Sequence, residues 1–416
     1  MGRKKNNRKL KSIVGTIHLW LGLVSGIIVF IIAITGCFYA FQSELRDLTE
    51  PYRFVEVENK AILPPSTFEK IAHETLPGKH LHGINYPGAD KAVEIIYYDF
   101  APNYHYYYVF ANPYSGKVLK VKNMEEDFFQ FILDGHFYLW LPPEIGQPVV
   151  AYSTLIFVTM LITGIVLWWP KNKSAAKQRF SIKWSARWRR KNYDLHNVLG
   201  FYSYFIALIL ALTGLVWGFQ WFAQGSYKAL GGEKSITYLE PQSDTTKIAT
   251  LTASVDVPAI DKIWFKMLDE YPNAQSVEVH VPESKTGPIA ANANPDAGTY
   301  WQVDYRYFDQ YTLEEISVDH IYGRQANLDT SDKIFRMNYD IHTGAILGFA
   351  GKILAFFASL IVASLPITGF YIWYGRRKKK KSDKDSSPMQ SNKKTQSAKK
   401  SIKPKKDVRV SQEVTS

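Results

Sequence analysis

Four stretches of the chain run without a charged side chain for the length of a membrane-crossing helix: roughly 18–41, 145–169, 196–222 and 353–374. About 20 apolar residues at ~1.5 Å rise per residue cross a ~30 Å hydrocarbon core. These stretches are apolar on every side, as a lipid-facing helix requires, rather than striped like a helix packed on a soluble core. Trp168, Trp169, Trp217, Trp221 and Trp373 sit near their ends, where amphipathic rings prefer to lie. The intervals 42–144 and 223–352 have shorter periods. In the first, Ser66-Thr67-Phe68-Glu69 reads as a capping box opening a helix that Pro77 stops. Alternating runs at 93–100 and 104–111, a turn at Asn112-Pro113-Tyr114-Ser115-Gly116 and a run at 117–121 predict strands. The second interval repeats this order. It has a helix near 256–270 ending before Pro272, strands at 276–281 and 300–308, a turn at Asp309-Gln310-Tyr311-Thr312, and a last strand at 313–317. The Gly/Ala/Asn-rich stretch 283–299 predicts a flexible hairpin loop.

Charge adds an orientation. The 416 residues carry 50 Lys plus Arg against 38 Asp plus Glu, a net +12. A basic total invites a nucleic-acid partner, but its distribution argues against one. Residues 1–17 hold six basic side chains and no acid, residues 171–195 nine and one, and residues 376–416 fifteen and four. The rest of the chain is net acidic. Such partition is the positive-inside pattern, and it places the N-terminus, the 170–195 loop and the C-terminus all in the cytoplasm. Four spans bring both termini to one side, so the two readings agree.

A single cysteine, Cys37, excludes an internal disulfide, a Cys-rich zinc site and a thiolate-held iron–sulfur cluster. No C-x-x-C-H is present, so any haem would be held non-covalently. There is no G-x-G-x-x-G or P-loop, which argues against a nucleotide-dependent soluble enzyme. Ile34-Thr35-Gly36-Cys37 fits a lipoprotein cleavage box, but its position and the length of the apolar run are poor for a signal peptide. Repetition explains the Thr-Gly pair better. Residues 18–41 align without a gap on 196–219, with ten identities in 24 positions. His18 matches His196, Gly22 matches Gly200, Ser25 matches Ser203, and Thr35-Gly36 matches Thr213-Gly214. Thr163-Gly164 with Trp168 likewise matches Thr368-Gly369 with Trp373. His136 lies 27 residues before Thr163, and His342 lies 26 before Thr368. The expected fold class is therefore an α-helical membrane protein of four transmembrane helices in two parallel repeats, each with an inserted extracytoplasmic α+β domain.

A helix followed by an antiparallel sheet, with N-P-x-[ST]-G before the last strand, resembles a PepSY domain. Two such domains between four histidine-bearing spans resemble the PepSY-associated transmembrane helix proteins, over about residues 10–376. The second copy departs at Leu313, which stands where the first has Gly116. The resemblance implies a bacterial, often iron-regulated, inner-membrane protein, and the family includes ferrisiderophore reductases that bind haem between the spans. The implied segments are 1–17 cytoplasmic, 18–41 span one, 42–144 the first PepSY-like domain, and 145–169 span two. They continue with 170–195 cytoplasmic, 196–222 span three, 223–352 the second PepSY-like domain, 353–374 span four, and 375–416 a disordered basic tail.

Of the ten histidines, His18, His136, His196 and His342 are singled out because ionisable groups at a bilayer are costly. His18 and His196 enter from the cytoplasmic side, and His136 and His342 from the outer side. One half cannot bring its two histidines to one iron, since roughly 25–35 Å of helix separates them. Joining the halves gives two bis-histidine sites, His18 with His196 and His136 with His342. The expected cofactors are two b-type haems, whose filled axial positions suit electron transfer. Gly22, Ser25, Gly200 and Ser203 lie on the ligand faces, where small residues would admit a porphyrin plane or simply let helices pack closely. Interfacial hydrogen bonding and ion binding are the competing roles for the histidines.

Other features carry less. His73, His80 and His82 could bind a metal, or lie in a solvated loop. Tyr97, Tyr98, Tyr104, Tyr106, Tyr107 and Tyr108 could stack on a ligand, or cover a half-buried sheet. Arg187, Trp188, Arg189 and Arg190 could dock an electron donor or anionic lipid. The expected partners are membrane lipids, a ferric siderophore or other iron(III) chelate as acceptor, and a quinol or cytoplasmic donor. No nucleic acid is expected. The rival functions are a cofactor-free binding or regulatory protein and an iron or chelate transporter subunit.

Overall fold

The computed structural model describes residues 2–99, 104–170, 172–248 and 257–385. Helix α1 runs Gly2–Tyr39 and is followed by α2 at Gln42–Thr49 and α3 at Pro65–Thr75. Strands β1 Leu81–Tyr86, β2 Val93–Asp99, β3 His105–Ala111 and β4 Val118–Asn123 come next. Helices α4 Phe128–Tyr138, α5 Pro143–Trp168, α6 Lys173–Arg179, α7 Trp188–Gly218 and α8 Gln220–Ala229 follow. Then come α9 Ala259–Glu270, β5 Ser276–His280, β6 Ile289–Asn294, β7 Asp304–Phe308 and β8 Glu315–Ile316. Helices α10 Thr330–Arg336, α11 Asn338–Thr343 and α12 Gly348–Asp385 complete the described residues. Among the described residues, four helices are long and apolar enough to cross a membrane: Lys9–Tyr39, Pro143–Trp168, Trp188–Gly218 and Ala345–Arg377. The expectation of a disordered tail from residue 375 does not hold for its first part, because α12 continues to Asp385. The remainder, 386–416, lies outside the described residues.

The eight strands among the described residues form one antiparallel sheet, in the order β4-β3-β2-β1-β5-β6-β7-β8. Each interval between spans contributes a four-stranded meander, and the two meet edge to edge at β1 and β5, with Ile84 opposite Val279. Pairing at this seam covers the edge that each meander would otherwise expose. Helices α3 and α9 lie side by side on one face, where Phe68, Ala72, Ile263, Trp264 and Met267 pack on Ile84, Ile95, Val109, Val279 and Phe308.

Two expectations need correction. The 283–299 stretch is not a loop throughout, because Ile289–Asn294 is β6, paired on both sides. Its Ala and Asn residues have low strand propensity, and a place between two neighbours overrides it. Ser66 forms no capping box with Glu69: it lies inside the first turn of α3, whose N-cap is Pro64. The Ser66 N–H and hydroxyl donate instead to the buried carboxylate of Asp261 on α9, at 2.8 and 2.6 Å. Leu313 does not change the turn it occupies. Its φ is +60°, close to the +70° of Gly116. The Asp309 carboxylate accepts from the N–H groups of Tyr311 and Thr312 as the Asn112 carbonyl does from Tyr114 and Ser115. The second copy thus keeps the turn in a backbone region costly for a bulky residue, and Leu313 packs against the sheet core in return.

Candidate functional site

The four singled-out histidines reach the bundle by two routes. His18 and His196 lie within α1 and α7. His136 and His342 lie on the short helices α4 and α11, which fold back against the spans. The turn after α4 explains how a residue outside the apolar run arrives there. Leu139 and Trp140 both take positive φ (55° and 57°) and reverse the chain, and Trp140 Nε1 donates to the Phe131 carbonyl at 2.8 Å. Gly146 lets α5 start directly against α4, since a Cβ there would stand 2.1 Å from the Tyr138 carbonyl oxygen. Asp127 fixes the other end of α4. It caps the Phe129 N–H at 2.9 Å and pairs with Arg46 at 2.5 Å and Lys122 at 2.6 Å.

Every one of these imidazoles docks on a Thr-Gly pair. His18 Nδ1 is 2.9 Å from Thr163 Oγ1, His136 Nδ1 is 3.1 Å from Thr35 Oγ1, and His196 Nδ1 is 2.9 Å from Thr368 Oγ1. His342 Nδ1 is 2.9 Å from Thr213 Oγ1. Each threonine hydroxyl donates its one proton to its own helix: Thr163 to the Thr159 carbonyl, Thr35 to Ile31, Thr368 to Ser364 and Thr213 to Ile209, all at 2.8–3.0 Å. Toward the ring the hydroxyl can only accept, so Nδ1 bears the proton in all four. His136 Nδ1 also lies 2.9 Å from the Ile32 carbonyl, which can only accept. Nε2 is therefore the lone-pair nitrogen, and among the described residues none of the four has a hydrogen bond at Nε2. This is the arrangement of a metal-ligating imidazole, tautomer and ring angle set from behind.

The glycine of each pair makes room for the ring. A Cβ on Gly36 would stand 3.2 Å from His136 Cε1, on Gly214 3.4 Å from His342 Cε1, on Gly369 3.4 Å from His196 Cε1, and on Gly164 3.5 Å from His18 Cε1. Gly36→Ala should therefore push His136 off its threonine, whereas Gly164→Ala meets an ordinary contact and should leave His18 in place. Comparing metalloporphyrin uptake by the two variants, at equal melting temperature, checks this.

The structure pairs the histidines across the halves. The His136 and His342 rings lie with centroids 6.0 Å apart, planes inclined by 66°. His18 and His196 are within electrostatic reach of one another. Burial holds His136 below the ordinary imidazole value, and burial together with the nearby His136 pushes His342 down to about 3. Both sheet-side imidazoles thus stay neutral, as ligands must. The donor set fits a porphyrin iron held between two imidazoles. Two buried polar atoms without a partner, Asn192 Oδ1 and Ser203 Oγ, lie on the same helix as His196, four residues before it and seven after. Gly22 lies against Met160 and Gly200 against Leu365, the residues three positions before Thr163 and Thr368.

From the sheet-side pair an aromatic line leads to the sheet. The Trp217 ring is 5.2 Å from His342 and 6.3 Å from Tyr339, and Tyr339 is 5.1 Å from Tyr300. Tyr300 is within electrostatic reach of Glu94 and Glu278. Those carboxylates belong to a cross-strand row on the face away from α3 and α9, in the order Glu94, Asn85, Glu278, Asn292. The tyrosines of β2 and β3 divide by face. Tyr97 is buried under α3, donating to the Ala72 carbonyl, while Tyr98, Tyr106 and Tyr108 pack edge to face on the polar side. His80 and His82 approach Glu283, at 3.6 and 3.2 Å, and His82 packs on His280. Among the described residues no trio of His, Cys, Asp or Glu is arranged to hold a metal ion. Arg190 is tied to the buried Asp194 at 2.8 Å, and Trp188 is exposed at the start of α7.

Sequence reasoning found all four histidines and the Thr-Gly pairs but did not join them, because partners 101 to 172 residues apart leave no local signal. It missed Asn192 and Asn338, whose signal is a repeated pentapeptide treated below.

The spans, and the histidines set among them, define a helical membrane protein with a sheet at one end of the bundle. Residues 16–376 match the family described as the PepSY-associated TM region, and the chain belongs to that family. No curated protein matches it.

Proposed function

We propose that this chain is a duplicated two-haem electron-transfer protein of a bacterial inner membrane, serving reduction of an extracytoplasmic iron(III) chelate such as a ferric siderophore. What carries the reading is the fourfold recurrence of one arrangement: a half-buried imidazole with Nδ1 spent on a threonine and Nε2 free, in pairs drawn from opposite halves. Packing alone would not require four histidines to present the same nitrogen. His18 and His196 would hold one b-type haem, His136 and His342 the other. A haem with two imidazole ligands supplies one-electron transfer with no open position for oxygen.

The basic residues gathered in segments 1–17 and 171–195 support, by the positive-inside rule, an orientation with these segments and the termini in the cytoplasm and the sheet outside. On this reading His18 and His196 serve the donor side, and a quinol, reduced flavin or protein supplies electrons. His136 and His342 serve the acceptor side, where Trp217, Tyr339 and Tyr300 line the approach from the polar face of the sheet. The substrate rests on the family's character; reduction by one electron releases iron as the weaker-binding iron(II).

The test is the reduced-minus-oxidised spectrum of the detergent-purified protein with a pyridine haemochrome count. About two low-spin b haems per chain support the reading. A colourless protein after expression with added haem refutes it and favours a cofactor-free binding protein.

A further inference from the structure

One pentapeptide occurs twice, at the two ends of the second half: Asn192-Tyr193-Asp194-Leu195-His196 and Asn338-Tyr339-Asp340-Ile341-His342. In both copies the asparagine stands one helical turn before the histidine, so the two side chains lie on one face. In both, the two side chains grip the same threonine. Asn192 Nδ2 donates to the Thr368 carbonyl at 2.9 Å while His196 engages the Thr368 hydroxyl. Asn338 Nδ2 donates to the Thr213 carbonyl at 3.2 Å while His342 engages the Thr213 hydroxyl. The aspartate pins the motif to the segment beside it. Asp194, 2% exposed, accepts from Arg190 and the Lys183 N–H, and Asp340, fully buried, from the N–H groups of Tyr300 and Trp301.

The first half has no such grip. One turn before His18 stands Val14, and one turn before His136 stands Ile132. Neither side chain can hydrogen-bond. Behind each second-half ring the threonine is therefore gripped twice, by histidine and by asparagine, and behind each first-half ring by histidine alone, the His136 Nδ1 reaching only the Ile32 carbonyl of the same helix besides.

We propose that Asn192 and Asn338 are positioning residues that clasp the threonine behind the second-half histidine, making His196 and His342 the fixed ligands and His18 and His136 the yielding ones. The proposal rests on the two-haem reading. A ring fixed through its supporting residue loses less freedom when its Nε2 takes iron, and loss of such outer partners typically weakens metal binding by about 10–100-fold. The yielding ring supplies the adjustment that lets the group enter or leave between two packed helices. Among the described residues the orphaned Asn192 Oδ1 meets no donor, and this side chain engages them through its NH2 group.

The experiment follows haem loss from the purified full-length protein to excess apomyoglobin, by absorbance, beside the melting temperature. The wild type should lose haem in two phases, one per site. Asn192→Ala should speed one phase roughly 10-fold or more, and Asn338→Ala the other, with high-spin absorption appearing at the affected site. Asn192→Asp, which keeps the shape and removes the donor, should behave as Asn192→Ala. Val14→Asn, placed in the Asn192→Ala chain, should slow the fast phase again by giving His18 the missing grip. Unchanged loss rates in both asparagine variants would overturn the proposal. So would equal acceleration of both phases with a lowered melting temperature, which marks general loosening. A wild type that binds no haem would refute the underlying reading instead, and the proposal with it.

Discussion

On the two-haem proposal, His342→Ala should leave the purified protein with about one haem per chain in place of about two, and the remaining haem should keep a low-spin spectrum. The expectation follows from separation. His342 meets His136 at the sheet-side end, with ring centroids 6.0 Å apart, while His18 and His196 sit on Thr163 and Thr368 at the other. Removing one ring therefore empties or opens one site and leaves the second intact. His196→Ala should show the mirror result. His280→Ala, which removes an imidazole on the polar face of the sheet rather than in the bundle, should retain both haems. Equal haem in His342→Ala and the wild type would remove His342 from the ligand set. Complete loss in either single variant would show that the two sites fold as one.

Phe68→Ala should be the most damaging single change outside the bundle, costing about 3–5 kcal/mol. Phe68 is fully buried between α3 and the sheet, edge-on to Tyr86 with centroids 5.9 Å apart. Tyr86 lies on β1, opposite Val277 of β5, so the cavity would open beside the seam that joins the two meanders. Denaturant unfolding of the purified protein, followed by tryptophan fluorescence, reads the loss through Trp264, which packs on Tyr86. A change under about 1 kcal/mol would mean that the helices shift to fill the space.

The spans were legible because their signal is long and compositional, and the histidines because they recur at matched places beside it. The strands with alternating aromatic and β-branched residues, β2 and β3, were legible as well. Strand β1 was not, since Leu81–Tyr86 includes His82, Gly83 and Asn85, none of which favours a strand. Gly83 is there for a neighbour: a Cβ would stand 3.1 Å from the Val279 carbonyl oxygen across the seam. The seam itself pairs residues almost two hundred positions apart, and nothing local announces it. The capping box at Ser66 failed for a related reason. The motif was present, but a buried carboxylate on α9 offered the serine a better partner. At the site, the Thr-Gly pairs were visible as repetition, and only the fold shows that repetition as four identical seats for a ring. Asn192 and Asn338 escaped because comparison was made between halves, whereas their resemblance lies within one half.

That last contrast bears on descent. A homodimer of one half would set identical residues on the two sides of each histidine pair, so any grip on one ring would be a grip on both. Fusion of two copies into one gene frees the sides to diverge. On a fusion origin, the asparagine before His196 and His342, against valine and isoleucine before His18 and His136, would be such a divergence, made the same way at both ends of the bundle. A duplicated chain can thus divide labour between partners that began as equals, which a symmetric pair of subunits has no means to do.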